Sequence, residues 1–202
     1  EWLVLWDGNQ SQKIMPRSAI QLRGEHNVMN VLAACAISGA AGLPLLAMQA
    51  GVDGFTGVPH RLEFVRSWGG AAWYNDSIAT APERSIASVR SFTEPVVLLA
   101  GGRDKKLPWD AWVRVIRERV DHLILFGEAA EKIRQAVMDV GSAAQRPLTI
   151  HICTGLKEAV RAAAQVVEAG DVVLLAPGGT SFDEFRDFEE RGEVFKKWVQ
   201  DL

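Results

Sequence analysis

Residues 96–127 read VVLLAGGRDKKLPWDAWVRVIRERVDHLILFG, and this stretch decides the fold. VVLLA (96–100) is a short apolar run closed by Gly101–Gly102, the pattern of a strand covered on both faces. PWDAWVRVIRERV (108–120) mixes apolar and charged residues at helical spacing, and HLILFG (122–127) is a second short apolar strand. Two short, fully apolar strands joined through a helix demand a parallel pair with a crossover.

The same alternation continues outward. Downstream, a helix is expected over EAAEKIRQAVMDV (128–140) and a strand over PLTIHIC (147–153). GLKEAVRAAAQVVEA (155–169) then reads as a helix, DVVLLAP (171–177) as a strand, and GEVFKKWVQDL (192–202) as a last amphipathic helix. Upstream, Pro82 stands at the first position of a helix through ERSIASVRSF. Leu62–Trp68 and Ala71–Tyr74 read as a β-hairpin around Gly69–Gly70. From about Pro59 onward the chain is therefore expected to be a Rossmann-like α/β domain, with a mostly parallel sheet and flanking helices.

Before the turn-rich stretch GFTGVPH (54–60), the pattern differs, and the domain boundary is placed there, dividing 1–58 from 59–202. Trp2–Trp6 reads as a buried strand, Asn9–Gln12 as polar loop, a helix starts near His26–Asn27, and LLAMQAGV (45–52) is a second helix. A buried strand with no preceding element predicts that the rest of its sheet lies elsewhere, in a longer protein.

Composition narrows the function class. The chain has 202 residues, 48% hydrophobic and 23% charged, with a formal charge of −3. That suits a globular core and argues against a disordered chain or a nonspecific nucleic-acid binder. No apolar run approaches the ~18 residues of a membrane helix, and EWLVLWDGNQ has no secretory leader pattern. Cys35 and Cys153 stand apart, with neither CxxC nor histidine spacing, so no metal site or disulfide framework is indicated. A soluble, cytoplasmic protein is expected.

In such sheets ligands gather at the carboxyl ends of the strands. Here those ends carry Gly101-Gly102-Arg103-Asp104-Lys105-Lys106 and Gly178-Gly179-Thr180-Ser181, glycines that let backbone N–H groups approach an anion. Taken alone, such a Gly-rich strand-to-helix turn is more often ordinary turn chemistry. Neither GxxxxGK[ST] nor GxGxxG occurs, so nucleotide chemistry on this chain alone is incomplete.

Four segments are more specific. In Gly24-Glu25-His26-Asn27-Val28-Met29-Asn30, Asn27 and Asn30 share a helix face and offer amides to a purine edge, unless Asn27 is simply the N-cap. In Pro59-His60-Arg61-Leu62-Glu63, Arg61 is either a phosphate ligand or a solvated surface residue. In Asn75-Asp76-Ser77-Ile78-Ala79-Thr80, Asp76 suits a ribose hydroxyl or a metal-bound water, and Thr80 sits where a helix cap would. In Ser181–Gly192, phenylalanines at 182, 185 and 188 recur every three residues, as in a helical or 3₁₀ segment packed on the core.

In this order and spacing the four segments resemble the Mur ligase family, whose motifs read G-x-H/Q-N-x-x-N, P-H-R-x-E, D-S-x-A-T and S-x-D-x-F-x-x-F-E-x-R-G. The resemblance spans nearly the whole chain. Sister ligases carry a D-Y-x-H-x-P type loop where this chain has Asn75-Asp76-Ser77, which favours the glutamate-adding branch. The resemblance implies a three-domain cytoplasmic ligase. ATP, with Mg²⁺, would convert the carboxylate of UDP-N-acetylmuramoyl-L-alanine to an acyl phosphate that glutamate then attacks, in peptidoglycan precursor synthesis. Residues 1–58 would be the C-terminal part of the central ATP-binding domain, and 59–202 the amino-acid-binding domain. The UDP-binding domain, P-loop and carbamylated lysine would lie outside this chain, leaving it without a complete catalytic set. By motif matching, Asn27, Asn30, Arg61 and Asp76 would contact ATP, while Thr80, Lys105, Ser181 and Phe188 would form the glutamate site. One departure stands out: the family commonly reads D-S-K-A-T, and Ile78 replaces that lysine, which bears on selectivity between D- and L-glutamate. The rivals are another Mur-type amide ligase, such as a folylpolyglutamate synthetase, and a noncatalytic Rossmann-like binding domain.

Overall fold

The computed structural model describes residues 1–6, 8–139 and 147–202. The chain divides into two compact units, Glu1–Gly57 and Val58–Leu202.

In the first unit, β1 (Trp2–Trp6) pairs antiparallel with β2 (Ser11–Pro16), followed by α1 (Glu25–Ala40) and α2 (Leu45–Val52). Its small core gathers Leu3, Ile14, Met15, Val31, Cys35 and Met48. Two expectations are corrected here. Ser11 and Gln12 belong to a strand rather than a loop, because their backbone completes the ribbon with Trp6 and Leu5. The first strand is also not buried throughout. Leu3 is, whereas Trp2 and Trp6 are 51% and 63% exposed, because the ribbon turns alternate side chains to opposite faces.

The second unit is built on one six-stranded sheet, ordered β3-β4-β8-β5-β6-β7. The hairpin β3 (Glu63–Trp68) and β4 (Ala71–Asn75) is antiparallel and leads to α3 (Pro82–Val89). Then follow β5 (Val96–Gly101), α4 (Asp110–Arg119), β6 (Val120–Phe126), α5 (Ala130–Asp139), β7 (Thr149–Cys153), α6 (Leu156–Val166), β8 (Val172–Gly178) and α7 (Phe188–Gln200). Every pairing from β4 to β7 is parallel. Val140, the end of the helix expected over 128–140, lies outside the described residues.

The apolar strands now have their reason. On β5, Val96, Leu98 and Ala100 face one core with Val89, Phe92, Trp112, Ile116 and Ile133. Val97 and Leu99 face the other, with Leu156, Val160, Phe195 and Val199. Both faces are covered, so a period-2 pattern would leave polar side chains without water, and the strand is apolar throughout. The expected fold class is the observed one.

The last helix begins at Phe188, four residues earlier than its apolar pattern suggests. The Asp187 carboxylate accepts from Glu190 N–H at 2.7 Å, a local cap that starts the helix. The expected phenylalanine stripe does not form: residues 181–187 are turns, and Phe182 is 59% exposed. Phe185 alone of the first two reaches the core, at the margin of the α6–α7 cluster.

Candidate functional site

Because β8 lies between β4 and β5, the loops that follow these three strands meet at one edge of the sheet. Their backbones are bonded together. Gly178 N–H donates to Ala79 C=O at 2.8 Å, and Arg103 and Thr180 exchange reciprocal N–H···O=C bonds of 2.9 Å. Gly102 makes that approach possible: a Cβ there would strike the Thr180 carbonyl, and its φ is +89°.

Of the four residues expected to hold glutamate, two meet directly. Lys105 Nζ donates to Thr80 Oγ1 at 3.2 Å. Thr80 is thereby not the cap of α3, whose N-cap is Ala81 with no side-chain bond. Ser181 is buried in the loop that Thr180 fastens to Arg103. Phe188 is held by its backbone, whose carbonyl accepts from Ser77 Oγ at 2.8 Å. Its ring stands edge-on to His60, centroids 6.0 Å apart. Ile78 donates its N–H to the His60 carbonyl at 3.2 Å and brings no charge.

The residues expected to contact ATP fall into both units. In the first, Asn27 lies within α1 and is buried, donating its amide to Arg23 C=O at 2.7 Å and accepting from Asn30 at 3.2 Å. The N-cap is Gly24, so Asn27 is not a cap. In the second unit, Arg61 is exposed, and Asp76 is 4% exposed with both oxygens engaged. One oxygen accepts Leu62 N–H at 3.0 Å and the other accepts from the Ser88 hydroxyl. Burial pushes the Asp76 carboxyl pKa up, opposed by these bonds and by the charges of Arg61 and Arg84. Asp76 thus clamps the turn that carries Arg61.

That turn is strained. His60 and Leu62 have φ of 64° and 44°, the left-handed region that non-glycine residues avoid. It is held by a half-buried network that the sequence did not announce. Glu63 accepts His60 N–H at 2.8 Å and Asn75 Nδ2 at 3.0 Å, and pairs with Lys196 at 3.0 Å. Burial alone would raise the Glu63 pKa, but His60 N–H, Lys196 and Asn75 together outweigh it and leave the pKa below the ordinary value.

The least expected residue is Arg191, fully buried in α7. Its Nε donates to Ser77 Oγ at 2.9 Å, one terminal nitrogen to Ser77 C=O at 2.8 Å, and the other to Gly179 C=O at 3.2 Å. Burial lowers its pKa to about 10, against the pull of Asp183 and Glu184, so it stays charged at neutral pH. The E-x-R-G motif contained it, but a charged side chain reads from sequence as exposed.

A separate open pocket of about 400 Å³ lies beyond β6 and β7, lined by Gly127, Glu128, Thr154, Gly155, Asp183 and Glu184. Its carboxylates disfavour an anionic ligand. No group of three or more His, Cys, Asp or Glu fit to hold a metal exists among the described residues, and no described helix is long and apolar enough to cross a membrane.

Comparison with known proteins adds three findings. The family described as "Mur ligase, glutamate ligase domain" matches residues 60–179. The UDP-N-acetylmuramoylalanine–D-glutamate ligase of Acetivibrio thermocellus is 43% identical over 100% of this chain and 44% of its own length. The same-named protein of Symbiobacterium thermophilum is 44% identical over 98% of the chain and 43% of its length. The chain thus spans less than half of the curated relatives it matches. Among solved structures, bifunctional folylpolyglutamate synthase/dihydrofolate synthase from Yersinia pestis aligns with TM-score 0.69 at 17% identity, over 98% of this chain and 44% of that one. UDP-N-acetylmuramate-alanine ligase from Thermotoga maritima aligns with TM-score 0.66 at 16% identity, over 95% and 40%. At such identities these two speak for the fold.

Proposed function

Because this chain belongs to the Mur ligase family, we propose that it serves as the glutamate-binding part of an ATP-dependent ligase. That enzyme would join glutamate to UDP-N-acetylmuramoyl-L-alanine in peptidoglycan precursor synthesis, in the cytoplasm. Residues 1–58 are assigned to the end of the ATP-binding domain and 59–202 to the amino-acid-binding domain. Identity of about 40% to proteins named for D-glutamate supports this reading over a folylpolyglutamate synthetase.

The observation that carries the site is the Lys105–Thr80 hydrogen bond of 3.2 Å at the joined strand ends. Lys105 would bind a glutamate carboxylate as a charge-assisted donor, with Thr80, Ser181 and nearby backbone N–H groups as neutral donors. The Phe188 ring would cover the apolar methylenes. The acceptor carboxylate takes the γ-phosphoryl group of ATP and ADP leaves. The glutamate amine then attacks the acyl carbonyl, loses a proton and expels phosphate, forming the amide. Asn27, Asn30 and Arg61 are the residues proposed to face ATP, with Asp76 fixing the Arg61 turn. Mg²⁺ would neutralise the phosphates. The described residues hold no group of three or more His, Cys, Asp or Glu that could ligate it.

The test is the whole protein with Lys105→Ala. Charge-assisted hydrogen bonds are worth ~1.5–3 kcal/mol, so the glutamate KM should rise on the order of tenfold or more. Unchanged glutamate kinetics would remove Lys105 from the site. Phosphate release with a folate acceptor but not the UDP-sugar would overturn the substrate assignment.

A further inference from the structure

We infer that Arg191 is the positioning residue of the glutamate site, setting the spacing between the loop that bears Thr80 and the loop that bears Ser181. This rests on the reading of those loops given above. Arg191 is fully buried and so touches no ligand. It reaches Ser77 with two nitrogens and Gly179 with a third, the residues three before Thr80 and two before Ser181.

The choice of arginine follows from its geometry. A planar fork makes donors diverge at fixed angles, so one group can bond to two loops and hold their separation. A lysine ammonium is a point on a flexible stem and cannot do both at these distances. Ser77 extends the brace, because its hydroxyl donates onward to the Phe188 carbonyl at 2.8 Å while accepting from Arg191 at 2.9 Å. The brace therefore touches the approach to Thr80, Ser181 and Phe188 together. Its hydrogen-bond partners are hydroxyl and carbonyl oxygens, while the Asp183 and Glu184 carboxylates act on its charge through space.

The alternative is a residue that only stabilises the fold. The two roles differ in kinetics. Loss of the spacing moves the amino-acid donors, and a misplacement of about 1 Å can cost on the order of a hundredfold. A purely structural defect lowers the amount of active enzyme and leaves each KM alone.

The experiment uses the whole protein with Arg191→Lys and, separately, Ser77→Ala, measuring phosphate release against glutamate, ATP and UDP-N-acetylmuramoyl-L-alanine in turn. For Arg191→Lys the glutamate KM should rise on the order of tenfold, with the other two KM values held within about twofold. Ser77→Ala keeps the guanidinium and the backbone carbonyl contacts, so its glutamate KM should rise less, by about threefold. If Arg191→Lys fails to fold, Ser77→Ala decides. An unchanged glutamate KM in a folded variant, or an equal rise in all three, overturns the positioning role. Wild-type protein that needs no glutamate for phosphate release would instead overturn the function on which it rests.

Discussion

Gly192→Ala is the sharpest test of the buried network beside the site. In the middle of α7 this change normally stabilises, by about 0.5–1 kcal/mol, because alanine loses less backbone entropy. Gly192 shows no left-handed φ, so the backbone accepts a side chain. Space does not. A Cβ there would overlap His60 Nδ1 outright and stand 2.9 Å from both Asn75 Nδ2 and His60 Cε1. His60 has little room to retreat: it is 7% exposed, bonded to Asn75 at 3.0 Å, and sits 3.5 Å from the Glu193 carboxylate. Overpacking costs about 1–3 kcal/mol, and losing the His60–Asn75 bond a further ~0.5–1.5 kcal/mol. The clash therefore outweighs propensity, for a net loss of about 2 kcal/mol. At about 2–4 °C per kcal/mol for a unit of this size, Tm should fall by about 4–8 °C. Thermal and urea unfolding read by tryptophan fluorescence would measure it, since Trp73 and Trp112 are fully buried in the second unit. A variant as stable as wild type, or more so, would show that helix propensity wins and that His60 does not occupy this position.

Other outcomes follow from the same geometry. Glu63 has a lowered pKa in the folded state, so its contribution is present above the ordinary carboxylate value and is lost as pH falls through the folded one. The stability gap between wild type and Glu63→Gln, followed by urea midpoints, should accordingly narrow toward acid; a constant gap would refute this. Cys153 is 6% exposed, and burial, with a smaller push from Glu158, raises its pKa to about 11. Cys35 is likewise buried and raised, so iodoacetamide at pH 8 should label neither until denaturant is added. The 202-residue chain alone contains no GxxxxGK[ST] and should release no phosphate from ATP, Mg²⁺, UDP-N-acetylmuramoyl-L-alanine and glutamate; sustained release dependent on both substrates would contradict the proposal. In the whole protein, Ile78→Lys should change the ratio of D- to L-glutamate use, and an unaltered ratio would make the substitution neutral.

The sequence by itself determined the element types of the second unit and the fold class. VVLLA at 96–100 and DVVLLAP at 171–177 are apolar at every strand position because both faces of the sheet are covered, and that pattern is local. Pro82 at the start of α3 was legible because it too is a local signal. Strand order was not. Nothing in residues 171–177 says that β8 inserts between β4 and β5, yet that insertion joins the Lys105, Thr80 and Ser181 loops. Exposure in the first unit also escaped local reading, since Trp2 and Trp6 are apolar but face away from the core they would ordinarily enter. The supports of the site were hidden most deeply. Arg191 bonds to Ser77, 114 positions earlier in the chain, and His60 rests in the gap left by Gly192. Local periodicity reports whether a residue faces a core. Which distant residues share that core, and which buried charge they enclose, is decided only when the strands take their order and the loops at their ends are pressed together.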